Sequence, residues 1–461
     1  MSNPDPIDIL VDYVVDTKFE DLPPEVVEAT RVLILDSFGV GIVGSAAPQV
    51  DEMRSAAALW GRGDDARVWV SGERLPAPTA AFLNAFQTHN SEFDCVHDGA
   101  VVHCVTVVLA AVMAVAERSG NIGGKALITA VALGVDVACN LGLAATSGLQ
   151  FFRPATAGAF AAVMGIGKML EFDRERLIHA CSIAYGQVGG TMQAHTEGST
   201  LLAVQMGFSA RNAVAACDLA TAGVTGPRNI IEGPFGYLNL IEASYDLGDI
   251  LQNLGKVWRI TEVSLKPFPS GRATHGIADC CLGLRRDHGI VVDDIASVSA
   301  HVPPLINHLV GRPPQDNMTP AYARLCASYV AARALAHGAV EVEHFKVDMI
   351  SDATIGDLSK NISIVIDDNP DPNALSPITV EIKLKNGEMI SATRVHVYGN
   401  PQNPMSREDY LAKYQRNCAA ARPAIPQEQA GDLIKRVDNL EDETDIAGLV
   451  GLMISQAGRN A

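Results

Sequence analysis

Positive charge is scarce in this chain. Lysine and arginine number 35 against 53 aspartates and glutamates, a formal net charge of −18 over 461 residues. A field of that sign excludes nucleic acids and anionic membranes as partners, since both need a positive surface. No C-x-x-C occurs among the nine cysteines, Cys95, Cys104, Cys139, Cys181, Cys217, Cys280, Cys281, Cys326 and Cys418. An odd, scattered set is not a disulfide framework and fits a reducing cytoplasm; the neighbours Cys280 and Cys281 read as two packed thiols. Uninterrupted bilayer-length apolar runs are also missing: Val105 to Ala116 is too short, and Ala126 to Val137 is broken by Asp136. Both read as buried helices of a soluble protein. The N-terminus has no basic n-region and carries acids inside its apolar run, so it does not read as a signal peptide. There is no internal repeat and no low-complexity segment.

What is present is apolar bulk. Hydrophobic residues make up 48% and charged residues 19%, enough for a large core and too apolar for disorder. Length allows about three domains of roughly 150 residues, or one large helical domain with a smaller companion. As far as Lys266 the pattern is helical, over Glu25–Phe38, Ala80–Phe86, Val105–Glu117, Ala126–Leu143, Thr156–Leu170, Arg174–Tyr185 and Gln205–Ala222. Alanine and glycine at close spacing suit helices that are apolar nearly all round and pack closely. The one convincing strand in this part is Arg67–Val70. Beyond Lys266, Ile290–Val302 and Ile362–Ile366 read as strands. Ile378–Leu384 and Met389–Val397 flank Asn386-Gly387, a hairpin signal. A helix over Ala321–His337 lies among them, and helices over Arg407–Ala419 and Gln427–Val437 follow a Pro-rich turn. The expected fold is mainly α: a discontinuous helical domain of residues 1–266 plus 400–461, and an α+β domain of residues 267–399.

Gly39-Val-Gly41-Ile-Val-Gly44 satisfies G-x-G-x-x-G, with Asp64 and Asp65 about twenty residues on. A dinucleotide site needs a strand before these glycines, however, and the segment before them reads as helix; no βαβ series follows. The densest polar cluster runs from Asn90 to His103 and contains Glu92, Asp94, His97, Asp98 and His103, wedged between two apolar helices. Histidine beside carboxylates suits general acid–base work, because the carboxylate orients the ring and raises its basicity. Buried histidines that are merely satisfied would read the same way. Asp94, His97 and His103 are also metal-ligand types, but their spacings match no metal signature.

Three further segments carry charge into apolar or glycine-rich surroundings. Arg153 stands just before a helix start, where a guanidinium and helix-terminal N–H groups make a carboxylate clamp. Lys266 and Arg272 lie at the proposed domain junction, a favoured place for ligand sites. His195 stands near Glu197. Each alone reads as structural; together they offer cations and imidazoles for one anionic ligand. Tyr329 lies in an apolar helix and reads as core, with a hydroxyl that could reach a site.

The ordered set of segments resembles the MmgE/PrpD family, which includes 2-methylcitrate dehydratase, cis-aconitate decarboxylase and iminodisuccinate epimerase. The resemblance runs through Asp21-Leu-Pro-Pro, Leu35-Asp-Ser-Phe-Gly-Val-Gly, the Glu92–His103 loop, Arg153-Pro-Ala-Thr-Ala-Gly, the Gly223–Gly236 turn, Lys266-Pro-Phe-Pro-Ser-Gly and Pro401-Gln-Asn-Pro. It implies a large all-helical domain with a smaller α+β lid, a dimer, a cleft between the domains, and action on polycarboxylates without metal or organic cofactor. Where the family's acidic loop commonly reads Asp-Phe-Asp-Asp-Thr-His, this chain has Glu92-Phe-Asp94-Cys95-Val96-His97. His103 matches the family's second loop histidine, Arg153 replaces a usual histidine, and a usual lysine falls in Leu201-Leu202 and is absent. Tyr329 matches a tyrosine that the resemblance places near the ligand.

The expected activity is therefore a cytoplasmic, cofactor-independent lyase moving a proton alpha to a carboxylate. His103 is expected as acid/base, oriented by Asp94 or Glu92, with His97 or His195 handling the second proton. Arg153, Lys266 and Arg272 are expected to hold carboxylates. An epimerase on the same fold and a catalytically silent carboxylate-binding paralogue are the alternatives.

Overall fold

A computed structural model describes residues 4–455. At its centre the helix Cys104–Ser119 touches Ala77–Asn90, Gly124–Ala144, Arg153–Met169 and Leu201–Thr221, and every residue from Cys104 to Ala116 is buried. Such a helix has no polar face to present, which is why its sequence shows no amphipathic stripe. Small residues set the spacing: a Cβ added at Gly134 would lie 2.7 Å from the carbonyl oxygen of Ala161 on the next helix. Gly124–Ala144 is long and apolar enough to cross a membrane, yet it is mostly buried within this body. All nine cysteines are buried and unpaired, Cys280 and Cys281 included.

The helix Pro24–Gly44 runs straight through the G-x-G-x-x-G sequence. Those glycines give room to neighbours instead of cradling a phosphate: added Cβ atoms would lie 2.5 Å from the Trp69 ring at Gly41 and 1.9 Å from the carbonyl oxygen of Gln87 at Gly44.

After Lys266 one four-stranded sheet forms, in the order Ile362–Ile366, Ile295–Val302, Ile378–Leu384, Met389–Arg394. The first pair is parallel and the others antiparallel, with Val298 opposite Ile382 and Ile382 opposite Ile390. One face of the hairpin packs on the helix His275–His288, which in turn packs on Ala327–His337. The helix Arg407–Ala420 packs on Pro24–Gly44, so the C-terminal helices return to the N-terminal ones.

Several boundaries differ from the sequence reading. Arg67–Val70 is not one strand: Ala66–Arg67 pairs with Arg74–Leu75, Trp69 gives its N–H to the Asn84 side chain, and Val70 makes a separate bridge to Ile454. The strand expected from Ile290 begins at Ile295, after a 3-10 turn over Val292–Asp294. Ala321–His337 is broken into Pro320–Arg324 and Ala327–His337. That break lets Gly271 N–H bond the Arg324 carbonyl, which a continuous helix would have used internally.

Candidate active site

The helix Ala77–Asn90 carries His89 in its last turn. The chain then turns through Glu92, whose φ of 49° lies in the left-handed region that glutamate rarely adopts. Val96–His97 pairs antiparallel with Val263–Ser264, which ties the loop to the segment leading to Lys266. His103 closes the loop immediately before the helix Cys104–Ser119. Underneath, Lys413 donates to Asp36 at 2.7 Å and to the Phe93 carbonyl at 3.2 Å.

Asp94 is the hub of the cluster and is fully buried. His89 Nδ1 lies 3.0 Å from its Oδ2, Thr106 Oγ1 donates to Oδ2 at 2.5 Å, and His103 Nδ1 lies 3.2 Å from its Oδ1. The two imidazoles meet edge to face, with centroids 4.8 Å apart. Lys266 Nζ donates to the Glu92 carboxylate and to the Glu92 carbonyl, both at 3.1 Å, and Glu92 Oε1 lies 3.5 Å from His89 Nε2.

Environment pushes these groups apart. Burial alone would raise Glu92, but Lys266, with His89 and His103, pulls it down to about 2. Burial opposes ionisation of Asp94 too, and the two histidines overcome it, holding the carboxyl well below its usual range. Burial disfavours the charged form of both imidazoles. In His89 the carboxylates of Asp94 and Glu92 win and the value rises; in His103 burial wins, with Lys266 and His89 adding to it, and the value falls. Two rings on one carboxylate are thus pushed in opposite directions, His89 toward its charged form and His103 toward its neutral form, the pattern that assigns acid and base to paired groups.

Two cavities flank this cluster. The larger, about 550 Å³ with its mouth, is lined by Glu92, His103, His195 and Arg272 and otherwise by apolar side chains including Val101, Leu149, Phe152 and Met192. The smaller, about 290 Å³ with its mouth, is lined by His89, Glu92, Ser199, Thr200 and Arg324 among others. Glu92 and Leu325 border both.

The other residues singled out in the sequence are placed differently. His97 stays outside the cluster: its Nδ1 accepts the Ala100 N–H and its Nε2 lies 3.0 Å from Glu262, so both nitrogens are occupied. Arg153, expected as a carboxylate clamp, is buried in a two-point ion pair with Glu242 at 2.8 and 3.1 Å and also bonds the Ser147 carbonyl. Its charge is already met. Arg272 reaches the larger cavity but is clasped by Asp98, two bonds of 2.9 Å. Lys266 serves Glu92 and borders neither cavity. His195 lines the larger cavity, where burial and then Arg312 bring it down to about 3, leaving it neutral. Tyr329 is core: its hydroxyl donates to the His344 carbonyl at 2.5 Å and accepts from Arg333 Nε at 2.9 Å.

Sequence reading missed His89, Thr106 and Arg324. His89 lies one residue before the acidic cluster, in the part of the helix Ala77–Asn90 that extends past the Ala80–Phe86 read from the sequence. Its position three residues before Glu92 and five before Asp94 was the available signal. His89, Asp94 and His103 also place ligand-type atoms within 4.8 Å of one another, a set that differs from the Asp94, His97 and His103 of the sequence reading.

Two family models match the chain: the MmgE/PrpD N-terminal domain over residues 8–248 and the MmgE/PrpD C-terminal domain over residues 268–441. Among curated proteins, cis-aconitate decarboxylase of Mus musculus is 25% identical over 453 residues, covering 95% of this chain and 91% of that protein. The Homo sapiens protein of the same name is 25% identical over 454 residues, with 95% and 92% covered. That of Aspergillus terreus (strain NIH 2624 / FGSC A1156) is 24% identical over 457 residues, with 94% and 93% covered.

Proposed function

The chain belongs to the MmgE/PrpD family, and on that premise we propose a lyase that acts on a carboxylate by proton transfer at the carbon alpha to it. Neutral His103, facing the larger cavity, removes the alpha proton. The C–H electron pair moves into the carboxylate, giving an aci-carboxylate. It then returns to form the C=C bond as the β substituent leaves with the proton of His89. Asp94 orients both rings and stays ionised throughout, the role a buried carboxylate plays beside a catalytic imidazole. Lys266 keeps Glu92 ionised, and Glu92 in turn supports the charge on His89. The observation that carries this reading is the pair of histidines with opposite shifts on one buried aspartate.

An isomerase remains the second reading, because His89 and His103 border different cavities and could serve two faces of one carbon. Incubation with a panel of carboxylic acids in deuterium oxide, followed by mass spectrometry, separates the two. A lyase changes the formula, whereas an isomerase adds deuterium with no change of formula. Turnover is expected to fall about a hundredfold or more in His103→Gln with folding intact. Wild-type turnover in that variant would overturn the assignment.

A further inference from the structure

Four polar side chains stand on the wall of the larger cavity, Glu92, His103, His195 and Arg272, among apolar ones such as Val101, Leu149 and Phe152. Taking a proton from the carbon alpha to a carboxylate sends negative charge onto the carboxylate oxygens. In apolar surroundings that charge needs a hydrogen-bond donor already in place. Glu92 is held ionised and can only accept. His103 is the base. Arg272 gives its Nε and Nη2 to Asp98, its Nη2 also to the Ser264 hydroxyl and its Nη1 to the Tyr398 carbonyl. His195 is left.

His195 is buried in the short helix Gln193–Glu197. Arg312 Nη2 donates to the carbonyls of His195 at 2.7 Å and Leu309 at 3.2 Å, and it lies 3.4 Å from His195 Nδ1. Arg312 forms no ion pair among the described residues, and its Nη1 is buried without a partner, so its charge acts on the ring unneutralised. A guanidinium only donates and keeps its proton. A proton on Nδ1 would therefore face both an N–H and a full positive charge. The geometry leaves Nδ1 bare and puts the ring proton on Nε2, which has no hydrogen-bond partner among the described residues. The other titratable groups acting on this ring are Glu92, which favours a charge there, and His308 and His89, which oppose it; burial and Arg312 outweigh Glu92.

We infer that His195 is a catalytic hydrogen-bond donor, a neutral imidazole whose tautomer Arg312 fixes and whose Nε2–H stabilises the aci-carboxylate formed when His103 takes the alpha proton. This rests on the proton-transfer reading above and deepens it. No proton leaves His195: the C–H bond breaks to His103, its electron pair moves into the carboxylate, and Nε2–H bonds an oxygen that gains charge. A neutral donor suits this step, because its bond strengthens as charge develops, whereas an imidazolium would already hold the ground-state carboxylate tightly.

Nitrogen-15 NMR of the full chain, with His195 assigned through His195→Gln, tests the tautomer without any ligand. A neutral ring with its proton on Nε2 is expected throughout pH 5 to 8. A proton on Nδ1, or an imidazolium at pH 6.5, overturns the proposal. In Arg312→Met the ring should populate both tautomers; an unchanged ring in a folded variant removes Arg312 from this role. Kinetics with whichever carboxylic acid the wild type turns over tests the catalysis. His195→Leu should lose about a hundredfold or more in kcat with KM little changed, and His195→Gln, whose amide can donate, should recover part of it. Circular dichroism checks the fold of the variants, and the wild-type spectrum decides the tautomer whether or not they fold. Turnover that needs His103 but not His195 overturns this proposal and leaves the proton-transfer reading standing. No turnover or deuterium uptake with any acid overturns both.

Discussion

The Nδ1 atoms of His89 and His103 lie 3.0 and 3.2 Å from the same carboxylate, Asp94, and their rings meet edge to face. Two imidazoles so close cannot both carry charge comfortably, and a single anion between them favours one proton on the pair. Their differing neighbours decide which ring holds it: Glu92 lies 3.5 Å from His89 Nε2, whereas burial, Lys266 and His89 all count against a charge on His103.

Asp94→Asn keeps the shape and removes the anion. His89 should then lose its proton at lower pH and both rings lose their orienting acceptor. A fall in kcat of about a hundredfold or more is expected, together with a shift of the pH–rate profile. Steady-state kinetics from pH 5 to 9 checks this. An unchanged profile would remove Asp94 from the proton-transfer machinery.

Stability should fall in mildly acidic solution for a reason that can be assigned. His195 is held at about 3 against an ordinary 6.5, first by burial and then by Arg312. A depressed folded value means that its contribution is complete above pH 6.5 and is lost progressively as the pH falls toward 3. His89, whose value is raised, has the opposite sign: its contribution is present below 6.5 and is lost as the pH rises through its folded value. Urea unfolding as a function of pH should show a shallower slope between 6.5 and 3 in His195→Gln. An identical slope would contradict the assignment.

Arg153 and Glu242 should behave as structure, not as substrate contacts. Arg153→Gln leaves a buried carboxylate without its partner, for which a loss of about 3–5 kcal/mol is expected. Double replacement with apolar residues should recover much of it. Unchanged unfolding midpoints with a raised KM would return Arg153 to the carboxylate-binding role expected from the sequence.

Much of this site was legible in the residues. The Glu92–His103 loop stood out because a solvated loop has no need of so many carboxylates and imidazoles between two apolar helices. The glycines of Pro24–Gly44 were separable from a nucleotide site because the helical pattern ran into them. What sequence could not supply was pairing across the chain. Arg153 and Glu242 are 89 positions apart, and Arg272 and Asp98 are 174 apart, so neither arginine announces that its charge is met. Tyr329 read as core with a hydroxyl that could reach a site, and that hydroxyl lies between the His344 carbonyl and Arg333. His89 fell between the helix read as Ala80–Phe86 and the loop read from Asn90, although the helix in fact runs on to Asn90.

A chelator separates the proton relay from metal chemistry at the same residues. His89, Asp94 and His103 lie close enough to hold an ion. In the proposed scheme, dialysis against EDTA leaves turnover unchanged. Loss of turnover, with recovery on adding one divalent cation, would turn the three from a relay into a ligand set.

Protonation of the two histidines at pH 6.5 is the most direct test of the central claim. Nitrogen-15 NMR of the imidazoles, assigned with His89→Gln and His103→Gln, reports whether each ring nitrogen carries a proton. The expected result is an imidazolium at His89 and a neutral ring at His103. A neutral His89 beside a charged His103 would contradict the acid and base assigned here.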